Sequence, residues 1–223
     1  MNRRDFLNNL YIEKDYLKIV SASQMGMLTL EDSAEFLFAT GNYADSATLY
    51  KKLNNTYKEG YCYLHNGNIE KANLVWSTLE DESSALIWGK LLLSIFMSKV
   101  SFLPTYFQIR NFTEVDLGLF LHNKHFGFVH KFVAALPFLE RVNPEVYKFV
   151  GASFLNAGFS LNALNFLEHW KQIQFNDPEV HFLLARCYKN LNLEQKSRQA
   201  IHDCQIVAPE YFPAKNFYNM FQK

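Results

Sequence analysis

The side chains that could ligate a metal or attack a bond in this chain are seven histidines and three cysteines. His122, His125 and His130 lie close together. A helical zinc or di-iron site needs ligands spaced to share a face, as in His-x-x-x-His or Glu-x-x-His. Neither string occurs, no acidic ligand accompanies the three, and Asn123-Lys124 falls at an expected turn. The expectation is turn and core histidines, with no metal. Cys62 and His65 stand three residues apart, which on a helix could bring a nucleophile beside a base. No oxyanion donor accompanies them, so both are expected in the core. Cys62, Cys187 and Cys204 form no Cys-x-x-Cys pair and sit in apolar helical patterns, as small buried hydrophobes in a reducing compartment do. The phosphate-cradling strings Gly-x-Gly-x-x-Gly and Gly-Lys-Ser/Thr are absent, as is the Gly-x-Ser-x-Gly elbow. The residue types point away from an enzyme and from a bound cofactor.

Binding to a macromolecule remains, and charge narrows it. The 223 residues carry 22 basic and 22 acidic side chains, with no Lys/Arg run longer than two. A nucleic-acid binder shows a basic excess or a basic face, so nucleic acid is not the expected partner. The stretch Leu86 to Leu103 is apolar but contains Lys90 and Lys99, and reads as a buried helix rather than a membrane span. Asn2-Arg3-Arg4-Asp5-Phe6-Leu7 looks like a twin-arginine export start. That signal needs an apolar stretch directly after it, and Glu13, Lys14, Asp15 and Lys18 intervene. The expected location is the cytoplasm.

The elements that would carry a binding face show as a repeat. Hydrophobic residues make up 49% of the chain, enough for a continuous core, while 6 Pro and 9 Gly are too few for a many-turned β-sandwich. Aromatics are heavy, with 21 Phe and 12 Tyr. Tyr147, Val150, Gly151, Phe154, Gly158, Ala163 and Leu167 recur 34 residues on as His181, Leu184, Ala185, Tyr188, Asn192, Ser197 and Ile201. Small residues fall on small and aromatic on aromatic. Gly158 falls on Asn192, the two types most tolerant of a left-handed helix end.

That pattern resembles the tetratricopeptide repeat: aromatic-x-x-Leu-Gly-x-x-Tyr, then Gly, then Ala-x-x-x-Phe, then Pro, at a period of 34. Upstream copies are Gly60-x-x-Tyr63, Gly67-Asn68 and Ala72-x-x-x-Trp76, and Ala34-x-x-Leu37, Gly41-Asn42 and Ser46-x-x-x-Tyr50. These two are spaced by only 26 residues, which requires a tight turn near Asn54-Asn55. Weaker copies centre on Gly89 and Gly118. The resemblance implies an all-α fold: a right-handed α-solenoid of five to six stacked helix–turn–helix repeats with a C-terminal capping helix. It is read as one domain over 1–223, regular at about 29–80 and 143–209 and degenerate at 1–28 and 81–142. Gly60, Gly89, Gly118 and Gly151 sit mid-helix, where glycine costs about 1 kcal/mol against alanine, and are expected where two helices approach closely. In the middle, Pro104 ends the apolar run, Thr113 is a candidate N-cap, and Pro137 breaks the helix after His125. Asp177 is expected to cap a helix opening at Pro178.

The resemblance further implies a concave face lined by first helices. The positions this assigns here are Tyr57, Tyr61, Leu64, His65, Lys90, Leu119, His122, Lys148, Asn156, Phe182, Arg186, Lys189 and Asn190. The centre of that groove is aromatic, and its C-terminal end is basic at Lys148, Arg186 and Lys189. Some relatives grip a partner's C-terminal carboxylate with paired Lys and Asn; the matching positions here, Val115 with Leu119 or Lys148 with Ala152, do not supply the pair. The expected function is a non-enzymatic scaffold that holds a protein or peptide segment, without nucleic acid, membrane or cofactor. The alternatives are a helical-array enzyme or a homo-oligomeric structural element. The working surface of the latter would be the aromatic tail, with Tyr211, Phe212, Phe217, Tyr218 and Phe221, through which a homodimer would form.

Overall fold

The computed structural model describes residues 9, 16–80, 83–100 and 102–219. Among these it is all-helical, with fourteen helices and no strand. The twin-arginine-like start, Lys14-Asp15 and Phe221 lie outside the described residues. Contacts divide the chain into two compact units, Met1–Val100 and Ser101–Lys223. Unit 1 contains α1 (Tyr16–Gln24), α2 (Leu30–Ala39), α3 (Tyr43–Lys52), α4 (Thr56–His65), α5 (Ile69–Ser77) and α6 (Ser84–Phe96). Unit 2 contains α7 (Tyr106–His122), α8 (Phe126–Ala134), α9 (Leu136–Leu139), α10 (Val146–Asn156), α11 (Ser160–Ile173), α12 (Pro178–Asn190), α13 (Glu194–Val207) and α14 (Phe212–Asn219). Within each unit, helices adjacent in sequence pack against each other.

Four hairpins share one internal arrangement: α2–α3, α4–α5, α10–α11 and α12–α13. Each first helix carries a small residue, Ala34, Gly60, Gly151 or Ala185. Seven residues on, the chain turns through positive φ at Gly41 (81°), Gly67 (79°), Gly158 (88°) and Asn192 (60°). The next amide closes the helix end on the carbonyl five residues back: Asn42 to Leu37, Asn68 to Tyr63, Phe159 to Phe154 and Leu193 to Tyr188, each at 2.8 Å. These bonds satisfy carbonyls that the helix end would leave open.

Twelve residues after the small residue comes a second one, Ser46, Ala72, Ala163 or Ser197, so the two helices can touch. Ser46 Oγ donates to the Ala34 carbonyl and Ser197 Oγ to the Ala185 carbonyl, both at 2.8 Å. Four residues further, Tyr50, Trp76, Leu167 and Ile201 fill the contact and are essentially inaccessible to water. The pairing of the small residues is consistent: alanine pairs with serine, and glycine with alanine. A Cβ at Gly60 would lie 2.6 Å from Trp76 Cδ1, and one at Gly89 2.6 Å from Trp76 Cη2. The indole is thus held between α4 and α6, with its Nε1 donating to the Tyr57 carbonyl at 3.0 Å. A Cβ at Gly151 would meet Leu167 Cγ at 2.6 Å.

Helix starts follow local chemistry. Thr29 with Asp32 and Thr105 with Gln108 form reciprocal capping boxes. Asn55 and Asn68 accept from the amides of Lys58 and Lys71. Asp177 caps α12, with Pro178 in its first turn as expected. The helix after His125 stops at Ala134, and Pro137 sits in the separate four-residue α9.

Two expectations are corrected. Thr113 is not an N-cap: the Thr105–Gln108 box starts α7 earlier, and Thr113 lies buried inside that helix. Gly118 is not at a close helix approach, since a Cβ there would meet nothing within 4 Å.

Candidate functional site

In unit 1 the first helices present rings. Tyr61 stacks on Phe38 at 5.4 Å and 16°, Tyr57 stacks on Tyr61 at 6.0 Å and 20°, and Trp76 lies under Tyr57 at 5.9 Å and 12°. Phe38, Tyr61 and Tyr57 are each half-buried and Trp76 fully buried, so the column runs from the surface into the core. The neighbouring charge is neutralised: Glu35 pairs with Lys58. Burial, then the hydrogen bond to Glu35, pushes the Tyr50 phenol far above its ordinary range. Lys90 is half-buried and donates to the Leu79 carbonyl at 3.3 Å.

Leu64 and His65 do not line a groove. Both are wholly buried, because the preceding hairpin closes over the end of α4. The His65 ring is packed by Tyr61 at 4.4 Å, Phe38 at 5.7 Å and Tyr43 at 5.9 Å. The thiol of its neighbour Cys62 donates to Ser46 Oγ at 3.3 Å. Burial pushes the Cys62, Cys187 and Cys204 thiols up to about 11, 12 and 11, so all three stay protonated at neutral pH.

Unit 2 sorts its charge. Lys148 leaves the basic end assigned to it: it is buried, and its Nζ meets Glu145 at 2.7 Å, Asp177 at 2.9 Å and Glu179 at 2.9 Å. Asp177 Oδ2 also accepts from Trp170 Nε1 at 2.9 Å. Burial alone would lower the Lys148 pKa, but the hydrogen bonds to Glu145, Glu179 and Asp177 prevail and raise it. For Asp177, burial works upward and the bonds from Lys148 and Trp170 prevail downward. Lys148 is drawn inward because its carboxylates come from the start of its own helix and from the cap and first turn of α12.

At the other ends of these helices, His122 and Asn156 are exposed and share a cleft of about 510 Å³ between α7 and α10. Leu119, on the same helix as His122, is half-buried. Glu114, Gly118, Lys124 and Phe126 also line the cleft; the repeat positions named none of these four. Lys124 had a sequence signal, as the residue of the expected Asn123-Lys124 turn, and its φ is 59°. Arg186 Nη2 donates to Asn156 Oδ1 at 3.2 Å, its guanidinium 5.9 Å from the Phe182 ring centre. Asn190 Nδ2 donates to Ser160 Oγ at 3.0 Å, and Lys189 is half-buried. Phe182 is partly covered by the chain's own C-terminal segment, with Tyr211 at 5.9 Å and Phe217 at 5.8 Å.

Thus Tyr57 and Tyr61 come together in unit 1. In unit 2 His122 and Asn156 share the cleft, Arg186 is bonded to Asn156, and Lys148 is withdrawn. Among the described residues, no helix is long and apolar enough to cross a membrane. Compared with known proteins, the chain matches no family model, no curated protein and no solved structure.

Proposed function

We propose that the chain is a non-enzymatic interaction scaffold of tetratricopeptide type, each unit a right-handed α-solenoid whose first helices hold a protein or peptide segment. In unit 2, α14 acts as the C-terminal cap. The observation that carries this reading is the arrangement common to the four hairpins, in which small residues, left-handed turn and buried filler recur at fixed offsets. Such units bury their apolar faces by stacking on neighbours, and that leaves an inner wall for another chain. The partly exposed rings of Tyr57 and Tyr61, and the open cleft beside Asn156, are surfaces on which a peptide segment can dock.

The test is capture of partner proteins by the purified chain, compared with a Tyr61→Glu/Arg186→Glu variant. Loss of every specific partner is expected. Undiminished capture by a folded variant overturns the assignment of these faces.

A second reading is favoured by one observation. Phe212 is 68% exposed and Ile206 64%, whereas Ala214 is buried and Phe217 packs against Phe182. On this reading the outer side of the C-terminal segment joins two copies of the chain. Sedimentation of the native chain and a Phe212→Asp variant decides it: a dimer converted to monomer supports the second reading, and a native monomer disposes of it.

A further inference from the structure

The cleft between α7 and α10 is kept open at a cost to the helix beneath it. Gly118 lies in the interior of α7, where glycine weakens a helix relative to alanine. At Gly60, Gly89 and Gly151 a neighbouring side chain occupies the place a Cβ would take; at Gly118 the space is empty. That empty space belongs to the 510 Å³ cleft. Any side chain at position 118 would project into it.

Among the described residues, the basic side chains at the cleft stand without carboxylate partners. His122 and Lys124 line it, and Arg186 reaches its edge through Asn156. Among the described residues no carboxylate pairs with any of these three, whereas Lys148 gathers three. Phe126, 50% exposed and edge-on to Phe159 at 6.0 Å, adds an apolar seat at the same cleft. Glu114 on the wall limits the ligand: a uniformly anionic polymer would meet its repulsion, while a peptide can put a neutral residue there.

We infer that this cleft docks an acidic segment of a partner protein. Carboxylate side chains of the segment pair with Lys124 and Arg186 and accept a hydrogen bond from His122, an apolar side chain rests on Phe126, and the segment's backbone crosses Gly118. The inference rests on the scaffold reading and names the chemistry of its partner. Nothing in it requires the partner's chain terminus.

Fluorescence anisotropy tests it with an end-blocked, labelled Gly-Ser peptide bearing several Glu and one Phe. The controls are the same peptide with Gln or Lys for Glu, and inorganic polyphosphate. The native chain is expected to bind the Glu peptide about tenfold tighter than the Gln peptide, with affinity falling as salt rises. Gly118→Leu should fill the cleft and weaken binding about tenfold without lowering Tm, since the site has room and leucine favours the helix. Lys124→Glu with Arg186→Glu should shift preference to the Lys peptide.

Equal binding of Glu and Gln peptides, no saturable binding, tighter binding of polyphosphate, or undiminished binding by Gly118→Leu each overturns the inference. The scaffold reading has its own readout. If native chain and Gly118→Leu capture the same cellular partners equally, the cleft assignment falls and the scaffold stands. If neither captures any, the scaffold reading fails.

Discussion

Gly118 and Gly151 sit at matching places in first helices of unit 2, 33 residues apart, and do opposite work. At Gly151 the missing Cβ lets Leu167 press against the backbone; at Gly118 nothing presses, and the missing Cβ is cleft volume. Equal residue type at equal repeat position therefore does not mean equal role. What decides is whether the hairpin's second helix supplies a filler. Leu167 supplies it in α10–α11, and nothing does so over Gly118.

The contrast can be broken by mutation. The largest effect is expected beside the well-filled hairpin, at Lys148→Met. It leaves Glu145, Asp177 and Glu179 crowded without their cation, and removing one partner of a buried ion pair costs about 3–5 kcal/mol; chemical denaturation measures it. Gly151→Ala should destabilise by about 1–3 kcal/mol, because a Cβ 2.6 Å from Leu167 Cγ forces repacking. Ser197→Ala and Ser46→Ala should each cost about 1 kcal/mol through loss of the inter-helix hydrogen bond. Gly118→Ala should stabilise, by about 0.5–1 kcal/mol. A loss of stability there would erase the distinction between the two glycines.

Acid sharpens the same comparison. The folded-state pKa of Asp177 is depressed. Its contribution is therefore fully present above the unfolded value of about 3.9, and is lost as pH falls through the folded value. Thermal melts of the native chain should weaken on acidification below about pH 4. Asp177→Asn should start less stable and show a shallower decline. An unchanged slope would separate Asp177 from the Lys148 cluster.

Much of the hairpin structure was legible, because its signals are local. Small residues at a twelve-residue separation, glycine or asparagine at the turn and a bulky filler can all be read from residues within one hairpin. Asp177-Pro178 is equally local. The candidate faces were less legible, because burial there depends on chain that lies outside the hairpin. Lys148 meets Asp177 29 residues later, and His65 is covered by Phe38 and Tyr43 from the preceding hairpin. Thr113 misled for a smaller reason: a better-formed cap, Thr105 with Gln108, lay eight residues upstream of a plausible one. Gly118 could not have been read correctly from a motif that treats every mid-helix glycine as a contact.

The tryptophans give the two units different optical signatures. The chain has three: Trp76 and Trp88 lie in the interior of unit 1, and Trp170 lies in unit 2, hydrogen-bonded to Asp177. A Trp170→Phe chain would emit only from unit 1, and a Trp76→Phe/Trp88→Phe chain only from unit 2. Trp76, wedged between two glycines, should redden as soon as α4 and α6 part, so each half can be watched coming undone by its own light.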